Sequence, residues 1–188
     1  GSALYYANKK LKADKKVVLA AVKQYGSAIQ YADKKFQADK DVVLVALKQD
    51  GFALEYTDKK LKADKEVVLA AVKESGSALE YADKKLQADK EVVLAAVKQN
   101  GWAFEYASDK IKNDKVFVLK CIKNKIKILE YTSSNLKKDK EVVYNSVKNH
   151  GSELRYADDI FKKDKELVLI AVVTDWSVYT SVDKKLQI

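Results

Sequence analysis

Apolar triplets recur along the chain at a fixed spacing, and charged residues fill the intervals between them. Val17-Val18-Leu19, Val42-Val43-Leu44, Val67-Val68-Leu69, Val92-Val93-Leu94, Phe117-Val118-Leu119, Val142-Val143-Tyr144 and Leu167-Val168-Leu169 stand 25 residues apart. Glycine keeps the same frame at Gly1, Gly26, Gly51, Gly76, Gly101 and Gly151, with Ile126 and Trp176 in the two remaining places. Aspartate keeps it at Asp14, Asp39, Asp64, Asp89, Asp114, Asp139 and Asp164. No insertion or deletion breaks the count, so we read repeats beginning at 1, 26, 51, 76, 101, 126 and 151, and a partial repeat from 176. A repeat this short cannot bury a core alone, and a strict period argues for one array in which neighbours stack.

Within the repeat 76–100, Asp89 precedes the apolar run and has the short acceptor side chain that caps a helix. Glu91 falls in the first turn and Lys98 in the last, where each complements the helix dipole. Gly101 then offers a left-handed C′ residue, so the pattern predicts a helix over about Lys90 to Gln99. On its wheel Val92, Val93, Leu94, Ala96 and Val97 stand apart from a narrow outer stripe of Glu91, Ala95 and Lys98, as expected of a helix gripped on both sides. The Val93 place is valine in every copy. The Ala96 place stays small (Ala21, Ala46, Ala71, Cys121, Ser146, Ala171), which marks a close approach between elements. Ahead of it, Ser77 is expected to cap a shorter helix with Ala78, Leu79, Ala82 and Leu86 on one face. Asp83 would start a fresh turn, giving two helical turns followed by one 3₁₀ turn. The expected fold is all-α: an α-solenoid of about seven and a half two-helix repeats, elongated and curved.

Composition fits a soluble helical protein. Among 188 residues there is no proline, 47% are hydrophobic and 34% charged. No apolar run approaches the roughly 18 residues that cross a bilayer, so no transmembrane segment is expected. The single cysteine, Cys121, excludes an internal disulfide and suits an intracellular setting. The chain lacks methionine, opens in phase with the repeat and stops within the eighth copy, which suggests a piece of a longer protein.

The stretch from Glu91 to Ser108, EVVLAAVKQNGWAFEYAS, resembles the repeat of the domain of unknown function 4116 family. That resemblance implies a helical repeat in a scaffold or effector setting, since the family occurs in Legionella-type effectors, protists and large viruses. Host-cell cytoplasm is the implied location for a secreted effector. It brings no catalytic residue with it.

Few residues suggest chemistry. His150 and Cys121 lie one repeat apart in different places of the frame, which argues against a nucleophile–base pair. Neither zinc-ligand spacing nor a phosphate-binding glycine loop occurs, so no catalytic residue, metal or cofactor is assigned. Lysine is the anomaly. Lys15, Lys40, Lys65, Lys90, Lys115, Lys140 and Lys165 follow the cap in every copy, where the dipole disfavours a cation. Either each pairs with a carboxylate of a neighbouring repeat, or together they form a ladder facing a polyanion such as nucleic acid or an acidic membrane. The net charge of +9 is patchy: the first repeat holds six lysines against one acid, the next three repeats balance, and Arg155 is the only arginine. A nucleic-acid groove would show a continuous basic stripe.

Departures from the frame mark candidate contacts. Phe52 and Trp102 replace the serine expected as a cap at Ser2, Ser27, Ser77, Ser152 and Ser177. Along the outer stripe, Ala20, Val45, Ala70, Ala95 and Ile170 are apolar whereas Lys120 and Asn145 are polar. Phe52, Trp102, Lys120 and Ile170 are therefore the expected partner-binding residues of a monomeric, non-enzymatic module that binds another protein. The remaining alternatives are polyanion binding through the lysines, and a recruiting or spacer role beside an enzyme domain outside the chain. Ile126, which takes a glycine place, should end the preceding helix differently.

Overall fold

A computed structural model describes residues 3–181 and shows an all-helical repeat array. Gly1, Ser2 and the end of the partial repeat beyond 181 lie outside the described residues. Seven long helices follow the apolar triplets: α1 Lys15–Gln24, α2 Lys40–Leu47, α3 Lys65–Glu74, α4 Lys90–Gln99, α5 Lys115–Lys123, α6 Lys140–Asn149 and α7 Lys165–Thr174. The frame aspartates cap them as expected. Asp89 Oδ1, for example, accepts from the backbone N–H groups of Glu91 and Val92 at 2.9 and 3.1 Å.

The segment between long helices differs from the expected order. A 3₁₀ helix comes first, over Gly76–Tyr81, and a single α-turn, Lys84–Gln87, comes second. Gly26–Tyr31, Gly51–Tyr56, Gly101–Tyr106 and Gly151–Tyr156 repeat the first element. The break between the two is imposed from outside. Asp83 N–H donates to Lys62 O of the preceding repeat at 2.9 Å, which holds Ala82 and Asp83 extended. Its equivalents Asp33→Lys12, Asp58→Gln37 and Ser108→Gln87 recur at 2.9–3.0 Å. Ser77 is not the cap either. The residue before the glycine takes that place, and two of these residues cap with their side chains: Asp50 Oδ1 accepts from Phe52 N–H and Asn100 Oδ1 from Trp102 N–H, whereas Ser75 and His150 make no side-chain cap bond.

The frame glycines do not take a left-handed conformation; none of the described ones has a positive φ. Space is the reason they are glycine. A Cβ on Gly51 would collide with Ala71 O, and one on Gly76 with Ala96 O, each well inside 3.0 Å. The small residue of the Ala96 place and the glycine are thus two sides of one contact, by which the 3₁₀ helix rests against the end of the long helix of its own repeat.

The chain forms two compact units, Gly1–Ser108 and Asp109–Ile188. In the first, α1 to α4 pack side by side as one layer and the 3₁₀ helices as another, those at Gly26–Tyr31, Gly51–Tyr56 and Gly76–Tyr81 each lying against the long helices before and after it. In the second, α5, α6 and α7 pack in sequence in the same manner. Val18, Val43, Val68, Val93, Val118 and Val143 are fully buried and Val168 nearly so, which accounts for the one invariant apolar place.

Ile126 does end its predecessor differently. Lys125 takes φ 59°, the only non-glycine residue with positive φ among the described residues, and the Ile126 N–H donates to Cys121 O while Lys125 N–H donates to Ile122 O. This is a Schellman end with lysine in the place that favours glycine. The following 3₁₀ helix shrinks to Leu129–Tyr131.

Candidate docking face of the long helices

Each long helix turns Val93-type residues inward and leaves its Leu94 and Ala95 places half or fully exposed. Between α3 and α4 this surface opens into a cleft of about 520 Å³ lined by Lys73, Glu91, Leu94, Ala95, Lys98 and Gln99. A second cleft of about 460 Å³, between α5 and α6, is lined by Leu119, Ile122, Lys123, Glu141, Asn145, Lys148 and Asn149. The two share their polar lining, while their apolar residues come from different helices of the pair. Lys73 and Lys98 correspond to Lys123 and Lys148, Glu91 to Glu141, Ala95 to Asn145 and Gln99 to Asn149. The amides already bridge repeats: Gln99 Nε2 donates to Glu74 O at 3.2 Å and Asn149 Nδ2 to Ile122 O at 2.6 Å.

Four of the lysines that follow the caps are held in ion pairs. Lys40 Nζ lies 2.7 Å from Asp64 and 2.8 Å from Glu66, and Lys65 Nζ lies 2.8 Å from both Asp89 and Glu91. Lys115 meets Asp139 and Glu141 at 2.9 and 2.8 Å, and Lys15 meets Asp39 at 2.7 Å. Lys90 is also partnered. Each aspartate therefore caps its own helix with one oxygen and receives the lysine of the preceding repeat on the other. The pairing lowers the Asp39, Asp64 and Asp139 carboxyls below their usual range. For Asp89 burial acts upward and is the largest single influence, but Lys65 and two backbone donors outweigh it. Lys15, Lys40 and Lys65 are raised, first by the aspartate ahead of them, and Lys115 first by Glu141. Lys140 instead lies 5.1 Å from the centre of the Tyr144 ring, whose hydroxyl donates to Asp164 at 2.5 Å and is pushed up to about 12 by that carboxylate. Lys165 is exposed at the start of α7. Of the two sequence readings, pairing with a carboxylate of the neighbouring repeat holds at Lys15, Lys40, Lys65 and Lys115, each cation matched by at least one carboxylate, and these four do not form a ladder of free ammonium groups.

The expected contact residues divide between layers. Lys120 is exposed on α5 and Ile170 half exposed on α7, both within the long-helix layer of the second unit. Phe52 and Trp102 belong to 3₁₀ helices of the first unit, 41% and 69% exposed. Phe52 leans edge-on against Tyr81, 6.4 Å between centroids. Lysine holds the place of Lys73, Lys98, Lys123 and Lys148 from Lys23 to Lys148, and in the sequence it has only the role of complementing the helix dipole, as at Lys98. A cation in the last turn is what the dipole favours, so the pattern raised no anomaly.

The model of the domain of unknown function DUF4116 matches residues 1–37, 39–87, 89–137 and 139–187. The chain belongs to that family. Successive DUF4116 matches open on Asp39, Asp89 and Asp139, so each full match spans two of the 25-residue repeats and begins at a helix cap. No curated protein and no solved structure matches the chain. No helix among the described residues of this DUF4116 array is long and apolar enough to cross a membrane.

Proposed function

We propose that the chain is a non-enzymatic docking module whose long-helix face binds another protein. The observation that carries this reading is the recurrence, in both compact units, of a cleft whose two lysines, glutamate and amide occupy corresponding places. Scaffold requirements explain the buried valines and the glycine contacts. They do not require Leu94 and Ala95 to stay half exposed beside a cleft, and exposed apolar surface of this kind marks interaction sites. Ile170 extends the same stripe on α7, while Lys120 and Asn145 interrupt it.

The test is partner capture with blocked clefts. Ala95→Arg and Asn145→Arg add bulk from half-exposed and exposed positions and should leave the melting temperature nearly unchanged. Cross-linking in lysate followed by mass spectrometry should then lose the proteins that the unmodified array captures, and Trp102→Ala serves as the comparison on the 3₁₀ layer. Equal capture by the blocked array would refute docking on the long-helix face.

A further inference from the structure

The clefts carry an unmatched charge of one sign. Lys73 and Lys98 are exposed at the ends of α3 and α4, Lys123 and Lys148 at the ends of α5 and α6, and none has an ion pair among the described residues. The carboxylate at the other end of each cleft is already taken. Glu91 is held by Lys65 and Glu141 by Lys115, at 2.8 Å each. Each cleft therefore presents two available ammonium groups at one end, a neutralised carboxylate at the other, and apolar surface between, from Leu94 and Ala95 in one and from Leu119, above the buried Ile122, in the other.

We propose that these clefts receive an acidic amphipathic segment of a partner protein, its Asp or Glu side chains pairing with Lys73/Lys98 and Lys123/Lys148 and its apolar side chains resting on the floor between. The proposal depends on the long-helix face being the docking face. Charge complementarity selects the sign, because the only ionic groups left unsatisfied in the cleft are cations. The apolar floor selects a peptide over a nucleic acid: a phosphate backbone offers nothing to Leu94 and Ala95. A continuous polyanion laid across the cleft would also pass the Glu91 or Glu141 carboxylate. Discrete carboxylates need only reach the lysine end.

Selection from a random-sequence displayed peptide library on the intact array tests this. Recovered peptides should be enriched in Asp, Glu and large apolar residues. A Lys73→Gln/Lys98→Gln/Lys123→Gln/Lys148→Gln variant should bind them about ten-fold more weakly, corresponding to about 1.4 kcal/mol. Their affinity should fall with added salt. Recovery of peptides without an acidic bias, or no recovery above background, overturns the proposal, as does equal binding by the glutamine variant. So does tighter binding of a DNA duplex than of any recovered peptide. If the selected peptides lose affinity on Ala95→Arg/Asn145→Arg but not on the lysine changes, the acidic-partner inference fails while the docking face stands. If neither set of changes matters, both fail.

Discussion

A glycine that recurs at the end of a helix invites a conformational explanation, and at Gly51 and Gly76 that explanation is wrong for a physical reason visible only in three dimensions. Both have negative φ, which any residue adopts. What they lack is room, because Ala71 O and Ala96 O occupy the space of a Cβ. The obstacle is a backbone carbonyl and cannot rotate away, so accommodation means shifting the 3₁₀ helix against its long helix. Gly76→Ala should accordingly lower stability by about 2 kcal/mol, in the range of overpacked cores, measured by urea denaturation. A glycine required only for a left-handed C′ would lose less, about 1 kcal/mol, and a loss that small would indicate that the 3₁₀ helix yields. The same locality explains what the sequence displayed and what it hid. The cap at Asp89 and the bounds of α4 depend on neighbours within the helix, and both were legible. The position of the 3₁₀ helix depends on Asp83 donating to Lys62 of another repeat, and no residue near Asp83 announces that partner.

At the scale of the elements, the lysine after each cap shows how a locally unfavourable choice becomes favourable between helices. Lys65 sits at the positive end of α3 but reaches the cap of α4, where Asp89 and Glu91 concentrate negative charge. The sequence flagged the anomaly correctly and left its partner open, since the carboxylate lies 24 residues ahead. The pH dependence follows from the shifts. Asp39, Asp64 and Asp139 have lowered folded values, so their contribution is present above the unfolded value near 3.9 and is lost as pH falls through the lower folded one. The lysines are raised, so theirs is present below about 10.4 and is lost as pH rises through the higher folded value. The rungs thus act throughout the neutral range. Melting temperatures of the unmodified chain and of Lys40→Gln/Lys65→Gln should differ modestly at pH 7, as half-exposed pairs do. That difference should shrink below about pH 4, as the aspartates protonate, and in high salt. A gap that persists under both conditions would mean that the lysine stems, rather than their charges, hold the rung. Lys98 at the end of α4 is the opposite case: it satisfies the dipole and so raises no anomaly in the sequence, and the cleft around it is visible only in three dimensions.

The whole molecule behaves as a chain of nearest neighbours, so damage in one repeat should stay near it, and the sixth and seventh repeats offer a sharp case. Ile126 shortens its 3₁₀ helix and frees the Leu129 N–H, which elsewhere bonds inside that helix. Glu153, 3% exposed where the frame places Ala28, Ala53, Ala78 and Ala103, receives that N–H at 3.0 Å and the Ser146 hydroxyl at 3.1 Å. His150 Nε2 meets Lys125 O at 2.8 Å in the same region. The departures from the frame at Ile126, Ser146, His150 and Glu153 are therefore one connected repair. Replacing Glu153 by the frame residue alanine would ordinarily be expected to stabilise a repeat. Here it should cost about 1–3 kcal/mol, because a buried donor loses its acceptor. In a quasi-one-dimensional array the loss should stay local. Hydrogen exchange should quicken across 126–175 while α2, α3 and α4 keep their protection. Ile126→Gly in the same chain should recover part of the cost by restoring the longer 3₁₀ helix, a coupling of at least about 0.5 kcal/mol. Exchange that quickens equally from α2 to α7 would show a globally cooperative fold, and additive effects of the two substitutions would show that Glu153 does not compensate for Ile126.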